Sequence, residues 1–269
     1  MNLFERSSKI VIKVGSSFLV DPVNLTINQK WLDSFVDDVA NLIKQGKKVV
    51  IVSSGAIAFG CKTLGLNPQK IKLQEKQNVS VCGQHDMIEL YKTSFARHNI
   101  NIAQALITTE DAENRKRIAS IRATMDYLLE QSIVPIVNEN DLIANTEIRF
   151  GDNDRLSARV VQIIAADLLI LFSIVDGLFT QDPKIYPNAQ LIKEIYDVTL
   201  DIETMATDSK LKTGGMSAKI ASVKIALNGK CNIIIANGKF AHPIKRLLEG
   251  ADCSNFIIDK NSTQKYKIG

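Results

Sequence analysis

Short apolar runs alternate with longer amphipathic stretches along most of the chain. The apolar runs predict six strands, at residues 9–14, 49–52, 102–107, 133–137, 168–172 and 232–236. Strands that are apolar throughout are typical of parallel sheets covered by helices on both faces. Because helical stretches separate the runs, the pattern predicts βαβ units. We therefore expect an α/β fold, a three-layer α/β/α sandwich with a mostly parallel central sheet.

The stretches between the strands predict helices with recognisable ends. Thr26 and Gln29 form a candidate capping box, and apolar residues recur at near-helical spacing after it. Two further long helices are predicted at residues 73–98 and 111–131. No repeat, low-complexity tract or Pro/Gly-rich linker divides the chain, so we expect one domain over residues 1–269.

Composition narrows the class of protein without identifying it. The net charge is +4 and the lysines are scattered, which is typical of a solvated surface and gives no reason to expect nucleic-acid binding. None of the 4 cysteines stands in a Cys-x-x-Cys pair, so reduced thiols are expected rather than zinc or disulfides. The polar start predicts no signal peptide, and no apolar run has the roughly 18 residues of a membrane helix. We expect a cytoplasmic protein that does not bind membranes.

Two loops that follow predicted strands have small residues at the point where each strand ends. Lys13, Gly15 and Ser16 follow the first strand, where backbone N–H groups and a lysine charge could bind phosphate. The segment from Ser54 to Ala56, with Gly55 between them, follows the second strand and leaves room for a ligand. Taken alone, a glycine after a strand as in the first segment is more often just a turn, whereas the second segment is equally compatible with a tight turn that only packs.

Two polar clusters follow the fourth strand and form the most unusual part of the sequence. The first contains Asn138 and Asp141, and the second contains Asp152, Asn153 and Asp154. Carboxylates here could bind a substrate ammonium group, and amides could bind its carboxylate. A solvated loop with Asp154 as a helix N-cap is the alternative. Polar loops beyond strand ends in α/β proteins often bind ligands, which favours a binding site.

A third glycine-containing segment opens a predicted helix late in the chain. It comprises Thr213, Gly214, Gly215, Met216, Ser217, Ala218 and Lys219. The helix start would present N–H donors to an anion, with Lys219 near the first turn. A hinge with an exposed lysine is the alternative for this segment by itself.

Taken together, these loops favour phosphoryl transfer. Such a reaction needs positioning and charge neutralisation more than covalent chemistry, and two lysines beside glycine-containing loops supply both. A carboxylate acceptor is already ionised at neutral pH, so it needs no general base. None of the 3 histidines lies in these loops. The sequence contains neither a Walker A motif nor a protein-kinase catalytic loop.

These loops, in this order, resemble the amino-acid kinase family and, within it, the γ-glutamyl kinases of proline biosynthesis. The matching segments are residues 13–17, 52–58, 134–141, 150–154 with 156–158, and 213–219. The Lys-Phe-Gly-Gly-Thr-Ser start that is typical of aspartate kinases is absent. The resemblance implies ATP-dependent phosphorylation of the side-chain carboxylate of L-glutamate to L-glutamyl 5-phosphate, the first step of proline biosynthesis.

The resemblance also implies roles for individual residues. Lys13 and Lys219 would neutralise the transferring phosphoryl group, and Asp154 would hold both lysines. The implied glutamate-binding residues are Ser54, Gly55, Ala56, Asn138, Asp141, Asp152 and Asn153. The implied ATP-binding residues are Lys13, Gly15, Ser16, Ser173, Ile174, Thr213, Gly214, Gly215, Met216, Ser217, Ala218 and Lys219. The family further implies Mg²⁺ bridging the phosphates, feedback inhibition by proline and a homo-oligomer, with metal ligands that the sequence leaves unknown.

The sequence departs from the family pattern in two ways. The family usually has Thr-Asp after the fifth strand, where this chain has Ser173-Ile174, so contacts with the nucleotide base or ribose are in question. Many members also carry a C-terminal PUA domain, and too few residues follow Gly250 for one, so we expect a form without it. Two alternatives stay open: a related carboxylate kinase such as an acetylglutamate kinase, and an amino-acid sensor that has lost catalysis.

Overall fold

The structure is a computed structural model that describes residues 3–144, 153–207, 215–258 and 266–268. The described residues contain one mixed sheet with the strand order β3-β4-β2-β1-β5-β7-β8-β6-β9. The strands are β1 (Lys9–Val14), β2 (Lys48–Ser53), β3 (Ile102–Ile107), β4 (Val134–Glu139), β5 (Leu168–Ser173), β6 (Ile192–Ile195), β7 (Asn232–Asn237), β8 (Cys253–Phe256) and β9 (Tyr266–Ile268).

The six predicted strands form the parallel part of the sheet. They are β1, β2, β3, β4, β5 and β7, which pair in parallel throughout. The sequence did not predict β8, β6 and β9, which extend the sheet beyond β7 and begin with an antiparallel pairing of β7 and β8. These strands have three or four residues each and are only partly apolar, so they lack the apolar runs that mark the parallel strands.

Helices cover both faces of this sheet. They are α1 (Leu3–Arg6), α2 (Ser16–Leu19), α3 (Gln29–Lys44), α4 (Ala56–Leu64), α5 (Leu73–Ala96), α6 (Arg115–Glu130), α7 (Asn153–Ile164), α8 (Leu200–Thr207), α9 (Met216–Asn228) and α10 (Pro243–Leu248). Successive side chains of a strand point to opposite faces. Accordingly, Val11 and Leu169 belong to one buried cluster with α7 and α9, while Ile10 and Ile170 belong to a second with α3 and α5. The predicted three-layer sandwich is confirmed.

Two predicted helix starts were wrong. Asn28, rather than the Thr26–Gln29 pair, caps α3, because its side chain accepts a hydrogen bond from the backbone N–H of Trp31. The helix predicted from residue 111 begins at Arg115, with Asn114 as its cap. Asp111 instead accepts from the backbone N–H of Thr108 and closes a turn before the helix. Short polar side chains in this region compete for the same backbone donors, and sequence alone does not rank them.

Helices α4 and α5 cross at unusually short range. A Cβ atom built on Gly83 of α5 would lie 2.1 Å from the carbonyl oxygen of Ala56, and one built on Gly60 of α4 would lie 1.8 Å from that of Val79. Only glycine permits this approach of two backbones. The crossing therefore brings one side of α5 against the loop that follows β2.

Two further observations concern the whole described chain. None of its helices is long and apolar enough to cross a membrane. The 4 cysteines are free thiols, of which Cys61 and Cys231 are buried. Burial raises the pKa of the Cys61 thiol, which keeps it protonated and unreactive.

Candidate active site

A cavity of about 720 Å³ opens where the parallel strands end. Strand β1 lies between β2 and β5, so the strands that follow it along the chain are added first on one side of β1 and later on the other. Ligands of open α/β sheets bind at such a switch point, beyond the carboxyl ends of the strands. Most of the predicted site residues line this cavity: Lys13, Gly15, Ser16, Ser54, Gly55, Ala56, Asn138, Asp141, Asn153, Ser173, Ile174, Gly215, Met216 and Lys219.

A buried ion cluster lies beside the cavity. Asp154, in the first turn of α7, is 2% exposed, and its two carboxylate oxygens each lie 2.8 Å from a lysine Nζ, one of Lys13 and one of Lys219. Burial alone would raise the pKa of Asp154, but the two lysines outweigh it and hold that pKa below its usual value. Two cations and one anion leave one net positive charge at this point, which suits the binding of a phosphoryl group.

The start of α9 provides the second lysine of this cluster. Gly215 precedes the helix and no side chain caps it. Gly215, Met216 and Lys219 line the cavity, whereas Ser217 is exposed and Ala218 is absent from the cavity wall. Three other predicted site residues, Asp152, Thr213 and Gly214, lie outside the described residues.

A directional chain of amide groups forms the other side of the cavity. The Nδ2 group of Asn153 donates to Asn138 Oδ1 at 2.9 Å and to Ser54 Oγ at 2.8 Å. Because its oxygen is used in this way, Asn138 donates through its own Nδ2 to Gln84 Oε1 at 2.7 Å. The chain leaves Asn153 Oδ1 buried without a hydrogen-bond partner among the described residues. A buried acceptor of this kind is costly unless a ligand donates to it.

Asp141 lies on the same side of the cavity as the amide chain. The hydroxyl of Ser80 donates to its Oδ2 atom. Burial raises the pKa of Asp141, and the hydrogen bond from Ser80 only partly offsets that effect. A substrate ammonium group paired with Asp141 would favour its ionised form and so oppose the effect of burial. The predicted role of Asp141 in ammonium binding stays a prediction, and its position at the cavity is compatible with that role.

The segment that follows β5 forms the opposite side of the cavity. Ser173 ends the strand, and Ile174, which stands where the family usually has Asp, lines the cavity with 47% of its surface exposed. An exposed apolar side chain at the cavity has no acceptor to offer a ribose hydroxyl or a base amine. Lys184, farther along the same segment, also lines the cavity and was not predicted.

Three residues of α5 were also missed by sequence reasoning. Lys76 and Ser80 line the cavity, and Gln84 supports it from behind through Asn138. These residues recur every four positions and so share one face of the helix. Polar residues with this spacing could have predicted a polar face on α5. The helix as a whole separates polar from apolar residues only weakly, so this face does not stand out in the sequence.

The described residues contain no cluster of three or more His, Cys, Asp or Glu side chains that could form a metal cage. The carboxylate nearest to the two lysines, Asp154, is already engaged by both. Mg²⁺ in kinases is commonly held by substrate phosphates and water with only one or two carboxylates. The donor set therefore fits an ion that enters with the nucleotide, and the carboxylates that line the described part of the cavity are those of Glu139, Asp141 and Asp182.

Comparisons with known proteins agree with this geometry. The profile of the amino acid kinase family matches residues 8–237. The chain is 48% identical over 258 residues to the glutamate 5-kinase of Pelagibacter ubique. The matched region covers 95% of this chain and 70% of that relative. It is 41% identical over 259 residues to the glutamate 5-kinase of Paramagnetospirillum magneticum, covering 96% of this chain and 70% of that relative.

Solved structures with the same fold are more distant in sequence. A UMP kinase from Bacillus anthracis superposes with a TM-score of 0.66 at 15% identity, covering 98% of this chain and 99% of that one. An isopentenyl phosphate kinase superposes with a TM-score of 0.64 at 18% identity, covering 93% of this chain and 100% of that one. At such identities the likeness concerns the fold alone. By its matched profile, its glutamate 5-kinase relatives and its fold, the chain belongs to the amino acid kinase family.

Proposed function

We propose that this protein transfers the γ-phosphoryl group of ATP to the side-chain carboxylate of L-glutamate and so forms L-glutamyl 5-phosphate for proline biosynthesis. One observation carries the proposal. The ion cluster of Lys13, Asp154 and Lys219 adjoins a cavity. The other wall of that cavity combines the carboxylate of Asp141 with the Oδ1 atom of Asn153, which has no hydrogen-bond partner among the described residues. Relatives at 41–48% identity are glutamate 5-kinases, which supports the same substrate.

The reaction needs few catalytic groups. A carboxylate oxygen of glutamate attacks the γ-phosphorus, the new P–O bond forms, and the bond between that phosphorus and the β–γ bridging oxygen breaks to release ADP. The attacking group is ionised at neutral pH, so no proton has to be removed. Lys13 and Lys219 offset the repulsion between two anions and the charge that develops on the leaving oxygen. Bound Mg²⁺ would add to this neutralisation.

The orientation of glutamate follows from the polarity of the cavity. Its ammonium group would pair with Asp141 and donate to Asn153 Oδ1, which is otherwise unpaired among the described residues. Its side-chain carboxylate would then extend toward Lys13 and Lys219. This arrangement explains why only the distal carboxylate would reach the phosphoryl group.

An acyl-phosphate assay tests the proposal. Hydroxylamine converts an acyl phosphate to a hydroxamate, which is detected as its coloured iron(III) complex. The assay is run with glutamate, aspartate and N-acetylglutamate at equal ATP. We expect product with glutamate and little with N-acetylglutamate, because acetylation removes the ammonium charge. Equal product from N-acetylglutamate would instead favour the related-kinase alternative. ATP consumption that stays at background with every acceptor would favour the sensor alternative, against which the retention of both lysines speaks.

Four finer features belong to the proposal. Mg²⁺ is the expected metal, proline the expected feedback inhibitor, a homo-oligomer the expected assembly and the cytoplasm the expected location. The first three follow from the family resemblance, and the location is the expectation drawn from the sequence itself. Titration of activity with Mg²⁺ and with proline, and sedimentation of the purified protein, test the first three directly.

A further inference from the structure

One face of α5 forms a polar stripe along the glutamate side of the cavity. Its residues are Lys76, Ser80 and Gln84, spaced four apart so that they stack on one side of the helix. Ser80 donates to Asp141, and Gln84 accepts from Asn138 at 2.7 Å. Two members of the stripe are thus bound to residues that the proposed function places at glutamate.

The third member of the stripe is a lysine whose ammonium group has no partner among the described residues. Lys76 is half-buried and lines the cavity. Its backbone N–H donates to the carbonyl oxygen of Lys72 at the start of the helix, but its side chain forms no hydrogen bond or ion pair with any described residue. Its neighbour along the helix, Gln77, donates to the backbone oxygen of Ala144 at 3.0 Å, which ties this part of α5 to the loop after β4. A lysine that gives up part of its hydration without an internal counter-charge suits an anionic ligand.

Charge balance indicates which anion this would be. Glutamate carries one ammonium group and two carboxylates, and its complex with ATP brings further negative charge. Among the described residues, the cavity is lined by four lysines: Lys13, Lys76, Lys184 and Lys219. Lys13 and Lys219 are committed to Asp154 and the phosphoryl group, and Lys184 belongs to the segment after β5 on the nucleotide side. Of the four lysines that line the described part of the cavity, this leaves Lys76 for the α-carboxylate.

We propose that Lys76 binds the α-carboxylate of the amino-acid substrate, and that the stripe of Lys76, Ser80 and Gln84 determines which end of glutamate faces ATP. This inference rests on the proposed function, since it assigns one group of that substrate. Lys76 is then a specificity-determining residue that acts on binding. It touches no atom whose bonds change.

The test compares glutamate with its α-amide, L-isoglutamine, in which the α-carboxylate is neutral and the side-chain carboxylate is intact. A charge-assisted contact predicts that the wild-type protein prefers glutamate by about ten-fold to a hundred-fold in kcat/KM. Lys76→Gln should remove most of this preference. It should raise KM for glutamate by a similar factor, leave kcat nearly unchanged and leave isoglutamine kinetics unchanged. Lys76→Arg should keep most of the preference.

The matched control is Lys92→Gln, at a lysine on the same helix that is 67% exposed and pairs with Glu89. Its preference should equal that of the wild type. An intact preference in Lys76→Gln, or an equal loss for both substrates, would overturn the inference while glutamate phosphorylation still stands. A wild-type protein that does not distinguish the two substrates would overturn it as well. Absence of any acyl phosphate from glutamate would overturn the proposed function itself. Circular dichroism of each variant separates these outcomes from misfolding.

Discussion

Asp154 holds two lysines with one carboxylate, and this arrangement sets the charge of the phosphoryl site. Two members of this ion cluster are almost fully buried: Asp154 is 2% exposed and Lys219 is 5% exposed. Removing one partner of a buried ion pair leaves an uncompensated charge, whereas removing one of two lysines leaves Asp154 still paired. Variants of the lysines therefore probe catalysis with less risk to folding than variants of the aspartate do.

Lys13→Ala and Lys219→Ala should each lower kcat by two to three orders of magnitude. The reason is that a single preorganised electrostatic contact in a site of this type is worth about 3–4 kcal/mol. Steady-state assay of each variant measures the effect, with circular dichroism as the control for folding. Near-normal kcat in a folded variant would exclude that lysine from the mechanism.

Asp141 should give glutamate binding a distinctive pH dependence. Its pKa is raised by burial, so the ionised form that pairs with ammonium is lost, as pH falls, at a higher pH than for an ordinary Asp. KM for glutamate should rise on acidification through that raised pKa, and Asp141→Asn should remove this step while raising KM by about ten-fold or more at neutral pH. The profile of KM against pH for both proteins measures it. An identical profile in the two proteins would contradict the assignment.

The same raised pKa fixes the sign of a stability effect. A carboxyl that holds its proton more tightly in the folded state destabilises the fold as pH rises from its unfolded pKa through its folded one. The neutral amide of Asp141→Asn avoids this cost and can still accept from Ser80. The ligand-free variant should therefore unfold at an equal or higher temperature than the wild type at pH 7, although it binds glutamate less well.

Gln84 should act on glutamate through two intervening amides. Its Oε1 atom fixes the orientation of the Asn138 amide, which fixes that of Asn153. Gln84→Met removes the acceptor and should raise KM for glutamate by about five-fold to ten-fold, since a buried amide loses its partner. Gln84→Glu keeps an acceptor oxygen and should restore most of the affinity. A failure of Gln84→Glu to rescue would mean that Gln84 has only a packing role.

At the scale of the elements, apolar runs predicted the parallel strands because those strands are buried on both faces. β5, for example, is buried at every position. Polar and glycine-containing loops pointed to Lys13, Asn138, Asp154 and Lys219, because loops beyond strand ends in α/β proteins often bind ligands. The contribution of α5 was not predicted, since its polar stripe meets the site only after α4 and α5 have packed. Tertiary contacts of this kind leave little trace in local sequence.

Gly83→Ala should disturb that packing and the site together. The added methyl would lie 2.1 Å from a backbone oxygen and a backbone nitrogen of α4, neither of which can move independently. We expect a loss of about 1–3 kcal/mol in the free energy of unfolding and a raised KM for glutamate, because Ser80 and Gln84 flank the contact. Urea denaturation and steady-state kinetics measure the two effects.

Gly229→Ala is the matched control for this variant. At Gly229 the added methyl would lie 3.0 Å from Cγ of Gln162 and 3.1 Å from the backbone oxygen of Ala226, which shifts of a few tenths of an ångström relieve, and the backbone φ is −82°. This change should cost less than about 1 kcal/mol and leave KM unchanged. Equal stability of Gly83→Ala and Gly229→Ala would contradict the close-contact argument.

At the scale of the whole molecule, β1 divides the cavity into two halves. The loops after β2 and β4, with the stripe on α5, supply one half, and the segment after β5 with the start of α9 supplies the other. The two halves meet at Lys13, where the phosphoryl group would pass between substrates. A change on one half should therefore affect the KM of one substrate only.

Ile174→Asp tests this division on the nucleotide half. The variant restores the carboxylate that the family usually carries after β5, at a position that is 47% exposed on the cavity wall. A new acceptor for ribose hydroxyls or a base amine should contribute about 1 kcal/mol. KM for ATP should therefore fall by about five-fold, with a different change for GTP if the carboxylate contacts the base. KM for glutamate should stay constant, since Ile174 lies across β1 from the amide chain.

Combining Ile174→Asp with Lys76→Gln should give additive changes in the two KM values, because residues without shared partners act independently. If neither nucleotide constant moves, the nucleotide does not contact this side chain, and backbone atoms recognise it there. If instead the double variant is non-additive, the two halves are coupled through the segment that joins them, and the division of the cavity at β1 is wrong.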